Sequence, residues 1–567
     1  MQKNKQNKTL KNNIYFKKIL KGDSLKILGI SPAHDSSACL YEDGEIVAFY
    51  KEERLSGKKR DKFPMLSVQK ILKNIDYVDL VVYCGVVKHE YEFNYFKMVV
   101  NKFVRYDKII NFSDNHHLQH ASLAFYNSGF DSAAAIIIDR NGSMLLNSCR
   151  EAETIYSVSY PANFKEIYKS LWVFENSAHA EIKILNENEE DDCEYEAKSM
   201  FGIVKVYETA TNLIGQHVLE NGKTMGLSAY GNKKNKSMDL FVDGTNIPSD
   251  FHFGHDESLE AINYLLDKSK TYNVDPNNYQ LYADYAWQVQ KQTQEAVSYL
   301  IRKAVDKTGN KNIVISGGYG LNVVANRYYI DKFPELNFYF EPLADDSGNS
   351  IGGAMLFYHE QTRDKQIRPL KDTFFHGESY QIDKKNGTKV TISDIANNIM
   401  SNKSVALFHG KAEAGPRALG HRSILFNAMN SNARDIVNKI KMREWYRPFA
   451  AAVLEEDADQ YFDMAGIGSP FMTVSFPVLD GVAKMFSGVV HVDGTCRIQT
   501  VNKDVPILYQ LLKEIKKLSG HGVVLNTSFN LAGEPLVETP DDAIRTLQNS
   551  ELDVLWFPEA EIAIIKE

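Results

Sequence analysis

From Ser24 the chain reads SLKILGISPAHDSSACLYEDGEIVAFYKEERLS, two apolar runs interrupted at Ser31-Pro32 and again at Glu42-Asp43-Gly44. That pattern predicts a β-meander. A second stretch, AAAIIIDRNGSMLLNSCREAETIYSVSY, repeats the scheme: an apolar strand, a polar turn at Asp139-Arg140-Asn141-Gly142, and a further strand. Between the two, Asp114 to Phe130 carries Leu118, Leu123, Ala124 and Phe125 at near-helical spacing, with Gly129 as the stop. Tyr282 to Lys307 is a long amphipathic helix leading into the apolar strand of NIVISGGYGLN, an αβ unit. From Gln361 to Gly387 charge and turn residues replace sustained periodicity, so a domain junction is expected there. The stretch 388–567 is long enough for one α/β domain.

Composition narrows the class. At 567 residues, with 44% hydrophobic and 24% charged, the chain is too long for one core and too apolar for global disorder. A net charge of -8 gives no broad cationic field for a polyanion. The exception is the amino-terminal segment, where Lys3, Lys5, Lys8, Lys11, Lys17, Lys18, Lys21 and Lys26 face a single acid, Asp23. A solvated arm is the expectation for it, since no signal-peptide core comes after the lysines. Cys39, Cys84, Cys149, Cys193 and Cys496 form no CxxC pair, and no stretch is apolar for long enough to span a bilayer. A soluble protein of the reducing cytoplasm is expected.

Candidate chemistry falls into two groups. His116 and His120 lie one turn apart on a helix face and are able to share a cation, although an isolated HxxxH also arises from one surface and one packed histidine. Asp139 and Asp346 stand where apolar strands give way to loops, the usual place for groups that face a cleft. Two imidazoles and two carboxylates suit iron(II), manganese or zinc better than magnesium. Glycine-rich turns at Ser316 to Asn322 and Asp345 to Ala354 let backbone amides approach a phosphate or nucleoside. The second group is cationic. GKAEAGPRALGHRSIL holds Lys411, Arg417, His421 and Arg422; KIKMREWYRPFA holds Lys439, Lys441, Arg443 and Arg447; DGTCRIQTV holds Arg497. Arginine offers a planar fork to phosphate or carboxylate, whereas any one of these alone is ordinarily a solvated charge. LNTSFNLAGEP adds hydroxyl and amide groups that can orient a small polar ligand.

These segments resemble the ATP-dependent O-carbamoyltransferases, the family of the nodulation, cephamycin and tobramycin carbamoyltransferases. The match runs from about residue 26 to the end, through GISPAHDSSACLYEDG, EERLSGKKRDKFP, HHLQHA, GKTMGLSAYG, SGGYGLNVVAN, PLADDSGNSIGGA, GPRALGHRSIL, REWYRPFA, DGTCRIQTV and NTSFNLAGEP in the family's order. The resemblance implies an α/β protein with a two-lobed actin-like domain over 26–365, a linker over 366–387 and a YrdC-like α/β domain over 388–567, after a basic arm over 1–25. The repeated strand-turn-strand unit agrees with a duplicated, two-lobed fold. In the first domain the resemblance implies iron held by His116, His120, Asp139 and Asp346, carbamoyl-adenylate beside Gly317, Gly318 and Asn322, His34 as base and Lys59 as partner of acceptor or phosphoryl charge. Asp35 is placed to orient His34, for which a structural role is the competing reading. In the second, Lys411, Arg417, Arg422, Lys441, Arg443, Arg447, Arg497, Asn526, Ser528 and Asn530 match the segments that make carbamoyl-adenylate from carbamoyl phosphate and Mg-ATP. An acceptor hydroxyl on a small molecule, sugar or nucleoside then takes the carbamoyl group. Tyr319-Gly320, Gly57 and Ser228-Ala229 depart from the common pattern without removing a ligand.

Other functions compete. Hydrogenase-maturation carbamoyl transfer adds, in its family, an acylphosphatase region and cysteine-rich zinc fingers that are not seen here. Transfer to tRNA sits poorly with the acidic balance, whereas the lysine-rich arm leaves an opening for a hydroxymethylated base in nucleotides or DNA as acceptor. A sugar-kinase-like ATPase would use the first module alone. No membrane contact is expected, and a homodimer agrees with the family's habit.

Overall fold

The computed structural model describes residues 24–86, 89–145, 149–173, 177–187, 192–198, 202–234, 240, 277–370 and 374–566. The basic segment 1–23 lies outside them. The chain folds as a mixed α/β protein around three mixed sheets.

The first sheet contains β1 (Lys26–Ser31), β2 (Ser37–Glu42), β3 (Glu45–Lys51), β4 (Tyr77–Tyr83) and β5 (Arg105–Asn111), in the order β3-β2-β1-β4-β5. The meander β1 to β3 is antiparallel, while β4 and β5 run parallel to β1. The second contains β6 (Ser132–Ile138), β7 (Met144–Leu145), β8 (Cys149–Ser159), β9 (Asn163–Val173), β10 (Glu194–Lys198), β11 (Asn312–Ser316) and β12 (Asn337–Phe340), in the order β10-β9-β8-β6-β11-β12, with β7 beside β8. An antiparallel meander again continues into two parallel strands. The topology of the first sheet is therefore repeated in the second, from β9 to β12.

β6 shows why this sheet is interior. Ala133, Ala135 and Ile137 pack on one face, and Ala134, Ile136 and Ile138 on the other. A two-residue period thus buries every side chain from Ala133 to Ile138, and the chain becomes polar again on leaving the sheet at Asp139. The helices His116–Ser128 and Asn349–Thr362 pack against each other between the two sheets. The first ends at Gly129, whose φ of 80° supplies the left-handed cap. Their crossing is tight: a Cβ on Gly352 would stand 2.1 Å from the carbonyl oxygen of Gln119. Gly352→Ala is expected to destabilise the protein by about 3 kcal/mol, since backbone rather than a rotatable side chain has to yield. Thermal unfolding of the variant checks this.

Glu341, at the end of β12, is fully buried, and its carboxylate accepts from the Leu343 amide at 2.9 Å and from Asn127 at 3.1 Å. Burial pushes its pKa up to about 7. The folded state therefore holds a proton that the unfolded chain releases near pH 4.5, and stability falls as pH rises from there through about 7. Glu341→Gln should remove that loss, gaining about 2 kcal/mol over wild type at pH 8 relative to pH 5 in denaturant unfolding.

The third sheet lies wholly after residue 387. Its strands are β13 (Thr388–Lys389), β14 (Val405–Phe408), β15 (Arg422–Phe426), β16 (Ala450–Leu454), β17 (Ser475–Pro477), β18 (Thr495–Val501), β19 (Val523–Ser528), β20 (Val554–Phe557) and β21 (Ile562–Ile565). They run in the order β13-β21-β20-β14-β15-β19-β16-β18-β17. One hydrophobic core joins β6, β11 and the helix Gln280–Thr308 to Phe426, Phe449, Phe476 and Ile498 of this last part. Ion pairing joins them as well, between Arg327 and Asp463 at 2.6 Å. Among the described residues no helix is long and apolar enough to cross a membrane.

Candidate functional site: a metal-ligand cluster and a cationic wall on one cleft

The described residues enclose a cleft of about 500 Å³ between the first two sheets and the third. One end is built by the sandwiched helix. His116 and His120 are fully buried on it, which excludes the surface-histidine alternative. Asp139 arrives from the end of β6 and Asp346 from the turn after β12. Ligand atoms of these four residues lie within 4.8 Å of one another. His116 Nε2 stands 3.4 Å from Asp139 Oδ2 and 3.5 Å from Asp346 Oδ1, and His120 Nε2 stands 3.5 Å from the same Asp346 oxygen. These separations are long for charge-assisted hydrogen bonds. They match the edges of a tetrahedron of donors ~2.1 Å from one shared ion, which are about 3.4 Å. The residues therefore fit a divalent cation, and the mixed nitrogen and oxygen set is that of iron(II), manganese or zinc.

Supporting contacts hold the cluster. The Gly318 amide donates to Asp139 Oδ1 at 2.9 Å, and the His116 amide donates to Ser143 Oγ at 2.9 Å. Asn349 places its amide nitrogen 3.4 Å from His116 Nδ1 and 3.3 Å from His120 Nε2. Electrostatics are strongly perturbed. Burial disfavours the imidazolium of His116, but Asp346 and Asp139 outweigh it and push the pKa up to about 10. Asp346 is held well below the carboxylate range, burial notwithstanding, by His34 and His116. His34 sits at the cleft side of the cluster, Nδ1 3.1 Å from Asp346 Oδ2 and Nε2 3.3 Å from Asp35 Oδ2. Burial opposes its protonation and Asp346 favours it, with a net rise to about 9.

The opposite wall is cationic. Lys59, Arg417, Lys441, Arg443 and Arg447 all line it. Lys441 is buried and tied by its ammonium to the Ser528 carbonyl, to the Asn530 carbonyl at 2.8 Å and to Asn530 Oδ1 at 3.1 Å. Burial and then Arg443 hold its pKa well below the usual lysine range. The Arg443 guanidinium rests over the Phe449 ring at 5.3 Å and has no hydrogen-bond partner among the described residues. Burial and Arg447 both depress it. Arg497 lies just behind, lowered to about 10 mainly by burial, with Arg447 acting the same way. Glu444 pairs with Arg447 at 3.4 Å and with Lys223 at 2.5 Å, and Glu220 and Glu534 also line the cleft. Arg417, Lys441, Arg443 and Arg447 still crowd one another, which is costly in a recess unless an anion joins them.

The cleft gathers most of the expected residues, His34, Lys59, Asp139, Asp346, Gly318, Asn322, Arg417, Lys441, Arg443, Arg447, Ser528 and Asn530, and leaves others out. Gly317 turns the chain just behind it, with a φ of 84°. Asn322 also caps the helix Val323–Lys332, accepting from the Ala325 amide at 3.1 Å. Lys411 is exposed away from the cleft. Arg422 is fully buried, stacked 3.6 Å from the Phe408 ring centre and donating to backbone carbonyls, one of them Gly410 at 3.1 Å. Asn526 is buried behind the wall, bonded to Gln499 at 2.9 Å and to the Ala418 carbonyl at 3.2 Å. Sequence reasoning missed Lys51, which lines the cleft floor as a 3.1 Å ion pair with Asp345. Its only signal was its place as the last residue of a strand beside the Glu-Glu-Arg run.

Family models now decide the class: Carbamoyltransferase N-terminus matches residues 84–355 and Carbamoyltransferase C-terminus matches residues 396–563. The chain belongs to the carbamoyltransferase family. This carbamoyltransferase is 29% identical to an uncharacterised protein of Methanocaldococcus jannaschii, over 95% of this chain and 100% of that protein. It is 26% identical to nodulation protein NolNO of Sinorhizobium fredii, over 92% of this chain and 78% of that protein. Among solved structures, full-length HypF in its phosphate- and nucleotide-bound form superposes with a TM-score of 0.35 at 14% identity, covering 59% of this chain and 55% of that one. The enzyme's candidate metal-ligand cluster draws on both ends of the N-terminal match. The cationic wall is supplied mostly by the C-terminal match.

Proposed function

We propose that this carbamoyltransferase first makes carbamoyl-adenylate from carbamoyl phosphate and ATP and then passes the carbamoyl group to an acceptor hydroxyl. The observation that carries the reading is a cleft with a cation-fitting cluster at one end and a crowded cationic wall at the other. The repeated strand order of the first two sheets supports a two-lobed, actin-like unit over residues 26–365. The nine-stranded sheet over 388–567 is proposed as the YrdC-like, adenylate-forming unit, with 366–387 joining them.

An alcohol is a weak nucleophile and a carbamate a weak electrophile, so activation precedes transfer. Carbamoyl phosphate, ATP and one water yield carbamoyl-adenylate, inorganic phosphate and pyrophosphate. The acceptor oxygen then forms a bond to the carbamoyl carbon, and the bond to the AMP phosphate oxygen breaks. Arg417, Lys441, Arg443 and Arg447 hold phosphate oxygens during the first step, with Arg497 adding positive potential from behind. Ser528 and Asn530 keep the Lys441 ammonium in place. In the second, His34 is the proposed base for the hydroxyl proton, a role that needs the neutral ring: a cation held at Asp346 would offset the carboxylate charge that otherwise favours the imidazolium, and Lys59 balances phosphoryl charge. Gly318 and Asn322 face the adenylate. His116, His120, Asp139 and Asp346 would hold the divalent cation, iron(II) being the proposed ion, which supplies Lewis-acid polarisation of a carbonyl or phosphoryl oxygen.

The test is pyrophosphate release. It should require ATP and carbamoyl phosphate together, and mass spectrometry of hydroxyl-bearing metabolites and nucleosides incubated with both should show a product heavier by one carbamoyl unit. Pyrophosphate released from ATP alone would contradict the reading.

A further inference from the structure

We infer that Arg54, which precedes the N-terminal match, is a positioning residue that shapes the anion-binding loop of the C-terminal match. It lies on the five-residue helix Glu52–Ser56, which comes directly after β3. Its two neighbours act within their own half. Glu52 accepts from the amides of Leu66 at 2.9 Å and Ser67 at 2.8 Å, and Glu53 accepts from the Arg60 amide at 3.0 Å. Arg54 also lines the cleft, but its guanidinium is spent on the facing loop. Its Nη1 donates to the Glu413 carbonyl and its Nη2 to the Gly415 carbonyl at 2.9 Å, so one planar fork grips the chain on both sides of Ala414.

The gripped loop has little slack. Glu413 is buried, and its Oε1 accepts from the amides of Leu419 at 2.7 Å, His421 at 3.0 Å and Arg422 at 3.1 Å. The loop is thus wound around one carboxylate. A Cβ on Gly415 would meet the Phe374 ring at 2.3 Å, so the ring blocks displacement on that side. Two residues further on, Arg417 enters the cleft and donates to the Leu321 carbonyl at 3.1 Å.

The cost of this arrangement indicates its purpose. Arg54 is buried, its Nε has no partner, and no carboxylate pairs with it among the described residues. An apolar side chain of similar volume would serve packing alone at lower cost. What only a guanidinium provides is a two-point hold on the carbonyls. The same helix, through Glu53 and Arg60, also carries the segment that brings Lys59 to the cleft. One short element therefore sets the Lys59 and Arg417 rims relative to each other.

This inference rests on Arg417 serving adenylate formation, and two readouts separate it from that premise. Arg54→Lys keeps the charge but loses the fork; Arg54→Met loses both. In each variant, amide hydrogen exchange across residues 413–422 should quicken at least ~10-fold, a readout independent of activity. KM for ATP or for carbamoyl phosphate in pyrophosphate release should rise ~10-fold at unchanged metal content, because a misplaced arginine binds its anion less well. A merely structural role would lower kcat and metal content together and leave both KM values as in wild type, and that result overturns the inference. So does Arg54→Lys with wild-type exchange and kinetics. Wild-type protein that releases no pyrophosphate would refute the adenylation reading instead, and the exchange data would still decide the role of Arg54.

Discussion

His116→Ala is expected to abolish tight metal binding and carbamoyl transfer while leaving carbamoyl phosphate-dependent pyrophosphate release measurable. The helix His116–Ser128 is clamped between two sheets, so it cannot shift to offer another donor, and the space left is too buried for a compensating residue to enter. Three donors at fixed positions hold an ion far less tightly than four, and a loss of at least ~10³-fold in affinity is expected. The cationic wall stands on other elements and keeps its geometry. Metal content by elemental analysis, pyrophosphate release and product mass separate the three properties. Full transfer by metal-stripped wild type would remove the cluster from the mechanism.

Arg443→Met is expected to lower pyrophosphate release by ~10²-fold or more and, at the same time, to make the ligand-free protein more stable. Both effects come from one cause. The Arg443 guanidinium lacks a hydrogen-bond partner among the described residues, and Arg447, Arg497 and Arg417 all disfavour its charge. Removing one of several crowded cations relieves repulsion worth about 1 kcal/mol. The substrate anions that justify the crowding then lose a charge-assisted contact. Thermal unfolding with and without ATP should show the variant gaining stability when empty and gaining less than wild type on adding nucleotide. A variant that is both active and no more stable would show that the wall is not an anion site. Raising the ionic strength should narrow the difference between the two proteins, since screening weakens the same repulsion.

Much of the local structure could be read from the chain. The β1 to β3 meander broke where Pro32 and Asp43-Gly44 stand, and the helix ended at Gly129, because turn and cap residues act over a few positions. The helix read as Tyr282 to Lys307 forms as Gln280–Thr308 for the same reason, with Gly309 at a φ of 66° closing it. The two histidines on one helical face, and their relation to Asp139 and Asp346, were legible through spacing and through motif order.

Arg422 and Asn526 show where such reading stops. Both lie in motifs that supply cleft residues, GPRALGHRS and NTSFN, yet both side chains are buried outside the cleft. Asn526 and Ser528 stand two apart on β19 and so share a face; Ser528, at the strand's end, reaches the Lys441 ammonium, while Asn526, one pair further into the sheet, is covered by Gln499 and the Ala418 carbonyl. A motif names the segment and not the depth of each side chain. Lys51 and Asp345, and Arg54 with the Glu413 and Gly415 carbonyls, join positions far apart in the sequence, and nothing local distinguishes them.

The sequence by itself determined the local elements read from it, and through the family resemblance it pointed to the class of chemistry and to the four metal-ligand candidates. The elements depend on short-range periodicity and on residues with special backbone freedom, and the resemblance on motifs kept in order along the chain. Only the tertiary structure decided which cations share one wall, which motif residues turn inward, and that the wall and the ligand cluster open onto one cleft. Those outcomes depend on how sheets stack and which faces they bury, and close packing settles them across hundreds of residues at once.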